Sequence, residues 1–254
     1  MTIDEIKAKV HSNEYDFLRT NIHLGNKICL LGLGGSYAYG TNNENSDLDI
    51  RGCALNSKRD ILTNENFEQV TNEQTDTVIY SFNKLISLLS NCNPNVIEML
   101  GLKEEHYLYK NEVGQLLINN AGLFLSKKAI QSFGGYANAK KHKIQNSCLN
   151  NKPLTKINKY MMHIIRLLYM GIDILEQGKI ITYRKNEHDL LMQIRNGIFT
   201  YNNYPTEDFF NLLRQLEKQF DYAKENTNLP DKPNYNQIKE LMMYVNEKVV
   251  YEIF

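Results

Sequence analysis

The sequence lacks several features that mark common protein classes. Its 254 residues include 29 basic and 29 acidic side chains, so it has no net charge with which to coat a nucleic acid. This balance still allows a local basic patch. No apolar run approaches the roughly 20 residues that a membrane span needs, and the N-terminal residues lack the apolar segment of a signal peptide. We therefore expect a cytoplasmic protein without membrane contact.

The sequence is also poor in cysteine motifs. Its four cysteines are scattered, with no CxxC pair and no histidine pattern near them: Cys29, Cys53, Cys92 and Cys148. A zinc site or disulfides are the alternatives, and we expect the reduced, semi-buried thiols of a cytosolic protein. Hydrophobic residues at 42% and charged residues at 23% are ordinary values for a globular protein. The length fits one large domain or two modest ones.

The hydrophobic pattern differs between the two parts of the chain. In the first part, Thr2 and Glu5 predict a capped helix, and Ser81 predicts the start of another that ends before Pro94. Short apolar or alternating runs predict strands over residues 27–33, 47–55 and 75–80. Beyond residue 100 the spacing is almost wholly helical, over residues 112–119, 126–149, 155–177, 186–195, 206–226 and 235–251. We expect an α/β domain over residues 1–105 and a helical domain over residues 106–254.

A glycine-rich turn follows the first predicted strand. Gly34, Gly35 and Ser36 expose backbone N–H groups and a hydroxyl, which suits phosphate binding. No lysine follows the glycines as a P-loop requires, and Tyr37 stands where a dinucleotide fingerprint needs its last glycine. The turn is therefore a different kind of phosphate site.

Two aspartates follow about ten residues later. Asp47 and Asp49 are separated by one residue, and on a strand this spacing places both side chains on one face. Two such carboxylates repel each other unless a positive group lies between them, and a divalent cation is the usual solution. A phosphate-binding turn beside a metal-binding pair indicates metal-assisted phosphoryl or nucleotidyl transfer. By the same alternation, Arg51 lies on the face of Asp47 and Asp49. It is expected to pair with a neighbouring acid or to contact a phosphate.

The string from Gly34 to Gly52 resembles the GS-x-A-x-G…SD-x-D signature of the DNA polymerase beta superfamily of nucleotidyltransferases. It is most similar to a branch of predicted nucleotidyltransferases in which Arg-Gly follows the second aspartate. Weaker matches to that branch lie at residues 93–98, 163–168 and 194–197, so the resemblance covers residues 31 to 197.

The resemblance implies a palm-like α/β N-terminal domain with a small mixed sheet, followed by an all-helical domain. It also implies a two-metal mechanism. Gly35 and Ser36 would hold the β- and γ-phosphates of a nucleoside triphosphate, with ATP as the expected nucleotide. Asp47 and Asp49 would bind Mg²⁺, for which Mn²⁺ is an alternative. Asp76, at the start of the third predicted strand, is the expected third catalytic and metal-binding carboxylate, and its rivals are Glu68, Glu73 and Glu98.

The helix predicted from residue 155 has a basic stripe. Lys156, Lys159, His163 and Arg166 follow at spacings of three, four and three residues, which places them on one face. The stripe is either a solvated face or a wall of the active-site cleft. In the second interpretation Lys159, His163 and Arg166 contact the triphosphate or an anionic acceptor. The cluster at residues 139–143 either extends this patch or is ordinary surface.

The expected activity is Mg²⁺-dependent transfer of a nucleoside monophosphate from a triphosphate to a hydroxyl, with release of pyrophosphate. The acceptor is open and includes a small molecule, an RNA end or a protein. Two alternatives remain. One is a nucleotide-binding sensor that keeps the glycine-rich turn but has no working third carboxylate. The other is a toxin-like effector that modifies tRNA or a partner protein. The oligomeric state is also open.

Overall fold

A computed structural model describes residues 1–252. It contains a five-stranded mixed sheet in the order β3-β4-β2-β1-β5. The strands are β1 (Ile28–Leu33), β2 (Ile50–Ala54), β3 (Gln69–Asn72), β4 (Thr77–Ser81) and β5 (Tyr107–Lys110). β2 and β4 are parallel, and the other neighbouring strands are antiparallel. The small mixed sheet that the resemblance implied is confirmed.

Helices surround the sheet and form most of the C-terminal part. They are α1 (Ile3–Val10), α2 (Phe17–Thr20), α3 (Gly35–Tyr39), α4 (Lys58–Thr63), α5 (Phe82–Leu89), α6 (Pro94–Ile97), α7 (Glu112–Asn119), α8 (Lys128–Leu149), α9 (Leu154–Gln177), α10 (His188–Arg195), α11 (Glu207–Asn226) and α12 (Tyr235–Val250). Short 3-10 helices lie at Asn13–Tyr15, Gly25–Lys27, Glu98–Leu100, Glu104–His106 and Ala121–Phe124. Within residues 1–252, no helix is long and apolar enough to cross a membrane.

Local sequence signals account for many of these boundaries. Thr2 and Glu5 form the predicted capping box of α1. The Ser81 side chain accepts a hydrogen bond from the Lys84 amide at the start of α5, and the Asn93 side chain caps α6 ahead of Pro94. All four cysteines are buried and free, as expected.

Three parts of the sheet region differ from the sequence-based expectation. The second predicted strand begins at Ile50, three residues later than expected. β3 is an edge strand whose residues alternate between exposed and half-buried, which is a weak apolar signal. β5 lies beyond residue 105 and pairs with β1, so the sheet includes a segment that was expected to belong to the helical part. A two-residue hairpin, Thr200–Tyr201 with Tyr204–Pro205, also interrupts the helices.

α9 is the central helix of the C-terminal part. Fourteen of its 24 residues are buried, and it packs against α8, α10 and α11. A helix that is apolar over so much of its surface is a core helix. Its position matters because three of its polar side chains, Lys159, His163 and Arg166, line a cavity at the edge of the sheet.

Candidate active site

Strand register brings three parts of the sequence motif together. β4 runs parallel to β2, with Ile50 opposite Thr77, so Asp49 and Asp76 precede neighbouring strands at the same edge. The Ile50 amide donates to the Asp76 carbonyl at 3.2 Å. β1 runs antiparallel to β2, so the turn after β1 reaches the same edge, where the Gly34 amide donates to the Asp49 carbonyl at 2.8 Å. The glycine-rich turn and two predicted catalytic carboxylates therefore adjoin.

The turn has a glycine where a side chain would not fit. Gly35 has a φ of +52°, in the left-handed region. A Cβ built on it would overlap Oδ2 of Asp49. The absence of a side chain at position 35 therefore lets the Asp49 carboxylate lie directly against the backbone of the turn.

A cavity of about 370 Å³ opens at this edge of the sheet. Every site residue expected from the sequence lines it: Gly35, Ser36, Asp47, Asp49, Asp76, Lys159, His163 and Arg166. The basic stripe of α9 thus faces the cleft over its last three members. Lys156, the fourth member, lines a neighbouring depression instead.

The two motif aspartates lie before β2 rather than on it. The expectation that they occupy a strand is wrong, because regular pairing in β2 begins only at Ile50. Their alternation is nevertheless kept: Leu48 is buried, while Asp47 and Asp49 on either side of it line the cavity.

Arg51 lies between two of the carboxylates. Its Nη2 is 3.5 Å from Asp49 Oδ1 and 3.1 Å from Asp76 Oδ1. Burial and the neighbouring Asp76 carboxylate raise the pKa of Asp49 to about 7. A hydrogen bond from Asp49 lowers the pKa of Asp76. The pair therefore retains one proton below about pH 7, with Arg51 as its local cation. The expected pairing of Arg51 with an acid is confirmed.

The rivals of Asp76 occupy other surroundings. Glu68 is exposed and pairs with Lys84, and Glu73 lines a different depression from the cavity. Glu98 does line the cavity, but it is buried and accepts a hydrogen bond from the Tyr39 hydroxyl. Asp76 as the third carboxylate stays a prediction. Within residues 1–252, no three His, Cys, Asp or Glu side chains are grouped closely enough to hold a metal ion.

Glu98 belongs to a buried charged cluster. Arg166 is 6% exposed, and its Cζ lies 3.3 Å from the centroid of the Tyr39 ring. The Arg166 guanidinium favours the charged form of Glu98, although burial raises the pKa of this carboxyl overall. Because an isolated buried charge is costly, Glu98 and Tyr39 compensate Arg166 at the bottom of the cavity.

His163 differs from the other members of the basic stripe. Burial lowers its pKa well below the usual value, and the cations of Arg166, Lys140 and Lys159 lower it further. The imidazole is therefore neutral at neutral pH, and it offers one donor and one acceptor to a ligand. To the cavity, the stripe therefore supplies positive charge through Lys159 and Arg166.

Arg195 also lines the cavity, although it was not among the site residues predicted from the sequence. It comes from the end of α10, and its guanidinium donates to the Thr41 carbonyl, to Asn43 Oδ1 at 3.3 Å and to Ser46 Oγ at 2.9 Å. It thereby holds the loop between the glycine-rich turn and Asp47. The only signal in the sequence was its place in the weak family match at residues 194–197.

The cavity therefore has two unlike walls. The acidic wall contains Asp47, Asp49 and Asp76 at the sheet edge, and the basic wall contains Lys159 and Arg166 from α9 with Arg195 from α10. Such a site is suited to an anionic ligand with an associated cation, because each wall attracts the opposite charge.

The sequence also matches a known family over most of its length. Residues 6–245 match the family model RlaP, described as the RNA repair pathway DNA polymerase beta family. No curated protein matches the chain. A nucleotidyltransferase-like protein from Exiguobacterium sibiricum 255-15 has a similar solved structure, at 9% sequence identity and a TM-score of 0.32. That alignment covers 98% of this chain and 79% of the other, and at this TM-score it supports no residue assignment.

The family match includes both walls of the cavity, from the glycine-rich turn to Arg195. It also confirms the superfamily that the motif at residues 34–52 resembles. The superfamily consists of nucleotidyltransferases, which places the chain among the transferases of that general class. On this evidence the chain belongs to the RNA repair pathway DNA polymerase beta family.

Proposed function

We propose that this protein transfers a nucleoside monophosphate from ATP to the terminal hydroxyl of an RNA, with a divalent cation, preferably Mg²⁺, as cofactor. The observation that carries the proposal is the facing of three carboxylates and three cationic side chains across one cavity beside the glycine-rich turn. The description of the family as part of an RNA repair pathway favours RNA among the possible hydroxyl acceptors.

The residues on the acidic wall fit the proposed cation. Carboxylate oxygens are the ligands that Mg²⁺ prefers, and Asp49 and Asp76 already share one cationic partner, Arg51. Asp47, Asp49 and Asp76 are the residues that would hold the cation. Because they are not grouped closely enough for a metal ion in this structure, binding would require them to move together. When bound, the cation would neutralise charge on the triphosphate and align the reacting groups.

The other residues bind and orient the substrates. The backbone of Gly35 and the hydroxyl of Ser36 would donate hydrogen bonds to phosphate oxygens, and Lys159 and Arg195, which line the same cavity, would supply positive charge. His163, as a neutral imidazole, adds a hydrogen bond without repelling the nearby cations.

The transfer breaks a phosphoanhydride bond of ATP and forms a phosphate ester bond to the acceptor. The acceptor oxygen forms a bond to the α-phosphorus, the bond from the α-phosphorus to the bridging oxygen breaks, and pyrophosphate leaves. Asp76 is ionised and half-exposed, so it accepts the hydroxyl proton and passes it to solvent. Each of these roles is part of the proposal.

The test uses ATP labelled at the α-phosphate, Mg²⁺ and single-stranded RNA that ends in a 3′ hydroxyl. We expect label in the RNA and an equal amount of pyrophosphate. The variant Asp49→Asn should yield neither product. RNA with a 3′ phosphate serves as the blocked acceptor, and tRNA tests the effector alternative. If none of the four triphosphates yields pyrophosphate with Mg²⁺ or Mn²⁺, the proposal is wrong.

One observation favours the sensor as a second candidate. Arg51 already gives Asp49 and Asp76 a positive partner without any metal. A protein in which Arg51 kept that position would bind the nucleotide independently of Mg²⁺ and leave it intact. Titration of ATP with and without Mg²⁺ therefore separates the two: the enzyme requires the cation for tight binding, and the sensor does not.

A further inference from the structure

A second depression adjoins the cavity, between α9, the end of α10 and the loop that contains Asn45. Its volume is about 600 Å³, and it shares Asn45, Lys159 and Arg195 with the cavity. Lys156 and Tyr160 of α9 also line it. The two spaces are therefore neighbours with a common boundary, and an extended ligand in the depression would lie beside the cavity.

Lysines from two helices meet around Tyr160. Lys140 and Lys143 of α8 place their Nζ atoms 5.6 Å and 6.0 Å from the centroid of the Tyr160 ring. Lys156 and Lys159 precede Tyr160 on α9, and both side chains are exposed. We call Lys140, Lys143, Lys156, Lys159 and Tyr160 the lysine groove.

These lysines form no close ion pairs. Among residues 1–252, none of the four lies within 4 Å of a carboxylate oxygen, whereas the adjacent Lys141 pairs with Glu217 at 2.7 Å. Lys159 interacts with acidic groups at longer range, with Asp49 and Asp76 of the cavity. Burial lowers the pKa of Lys140, and so do the neighbouring cations of Lys143, Arg166 and Lys159. Like charges held this close repel one another, and an anionic ligand that spans the groove would relieve the repulsion.

The chemistry of the groove favours one class of ligand. Cations that follow a track, combined with an aromatic ring, are the features that bind single-stranded nucleic acid, because the cations contact phosphates and the ring stacks on a base. An acidic peptide would use the lysines but would gain little from Tyr160. The triphosphate has its own phosphate-binding turn at Gly35 in the adjoining cavity.

We propose that the lysine groove binds the 3′-terminal nucleotides of a single-stranded RNA and directs the terminal hydroxyl toward Asp76. The phosphates lie along the lysines, and one base stacks on Tyr160. This inference rests on the proposed function for the use of the hydroxyl, but the binding itself is independent of catalysis.

The first test measures binding of a 5′-fluorescein single-stranded RNA of about ten nucleotides by anisotropy, without ATP or metal. The variant Lys143→Ala/Lys156→Ala removes two exposed lysines of the groove. We expect at least about tenfold weaker binding, and a decrease of about 1.4 in the slope of log K against log salt, because each phosphate contact to a single strand contributes about 0.7. Lys218→Ala/Lys239→Ala, on exposed faces of α11 and α12, changes the net charge equally and should bind RNA as the wild type does.

The second test concerns the ring. Tyr160→Phe keeps the stacking surface and should bind RNA nearly as well as the wild type, whereas Tyr160→Ala should bind about 5- to 150-fold more weakly. The melting temperature of each variant, measured alongside, identifies any loss that comes from unfolding. Equal binding by the folded Phe and Ala variants would remove the stacking role and contradict the inference.

The remaining outcomes separate this inference from the proposed function. RNA binding that is unchanged in the double lysine variant overturns the inference. The inference is also overturned if the double lysine variant loses ATP binding but keeps RNA binding, because the groove would then bind the triphosphate. Competition by poly-glutamate as effective as by RNA would assign the groove to an acidic protein. If the variants lose RNA binding but no nucleotide is ever transferred, the groove stands and the proposed function fails.

Discussion

The carboxylate of Asp49 lies against the backbone of Gly35, at the point where any side chain at position 35 would overlap Oδ2. This contact joins the glycine-rich turn to the acidic wall, although the two residues are 14 positions apart in the chain. The glycine-rich turn and the acidic wall are therefore one structural unit, and we expect a change in either to move the other.

The first prediction tests this unit with Gly35→Ala. The new methyl group must displace the Asp49 carboxylate, and alanine at a φ of +52° adds about 1–2 kcal/mol of backbone strain. We expect a lower melting temperature and at least tenfold weaker Mg²⁺-ATP binding by calorimetry.

The matched control is Gly178→Ala. Gly178 also has a left-handed φ, of +62°, but a Cβ there would meet nothing within 4 Å. This variant carries the strain without the overlap, so it should be destabilised while its nucleotide affinity stays that of the wild type. Equal loss of affinity in both variants would show that strain, not the contact with Asp49, is responsible.

The second prediction follows from the protonation of Asp49. The pKa of Asp49 in the folded protein is raised to about 7 from its ordinary value of 3.8, so the folded state binds the proton more tightly than the unfolded state does. This contribution to stability is complete below about pH 4 and is lost as the pH rises through 7. The melting temperature of the metal-free wild type should therefore fall, relative to that of Asp49→Asn, between pH 5 and pH 8.

Asp221→Asn is the control for this pH series. Asp221 is exposed on α11 and does not line the cavity. Its replacement by asparagine removes one acidic side chain, as Asp49→Asn does. Its melting temperature should follow that of the wild type at each pH. A constant difference between Asp49→Asn and the wild type across the range would refute the raised pKa.

The third prediction separates the two carboxylates that compete for the third catalytic position. Asp76→Asn keeps a residue type that tolerates the φ of 43° at this position and removes the proton acceptor. We expect transfer to fall by about 100-fold or more, with ATP affinity within a few fold of the wild type.

Glu98→Gln is its counterpart. Glutamine can still accept the hydrogen bond from Tyr39, but it no longer compensates the charge of Arg166. We expect a stability loss of about 1–3 kcal/mol and a transfer rate close to that of the wild type once the protein is folded. The reverse ranking of the two transfer rates would make Glu98 the catalytic carboxylate.

The fourth prediction concerns Arg195. Arg195→Met removes the guanidinium that donates to the carbonyl of Thr41 and to the side chains of Asn43 and Ser46. Hydrogen exchange should become faster over residues 41–47, and Mg²⁺-ATP binding should weaken because Asp47 is no longer held. Arg214→Met removes an exposed arginine that pairs with Glu207, and it should leave exchange in that loop unchanged. Unaltered exchange in both variants would show that the loop does not depend on Arg195.

The chain alone is sufficient to predict the local chemistry and most helix boundaries. The turn at Gly35 and the spacing of Asp47 and Asp49 are visible without a structure, because backbone conformation and side-chain alternation depend on neighbouring residues. The same holds for α7, which has the expected bounds, and for the caps of α1 and α5. Each of these features is set by interactions within a few residues.

Only the tertiary structure decides which distant residues share the cavity and in what ionic state. Arg195 reaches the loop at Thr41 across more than 150 positions, and β5 joins β1 although it is only four residues long and lies far from β1 in the chain. His163 belongs to a basic stripe in the sequence, yet burial among other cations keeps it neutral. Desolvation and long-range charge pairing depend on the folded environment. The residue types in the chain therefore indicate the class of chemistry. Packing determines which side chains carry charge and which side chains face each other.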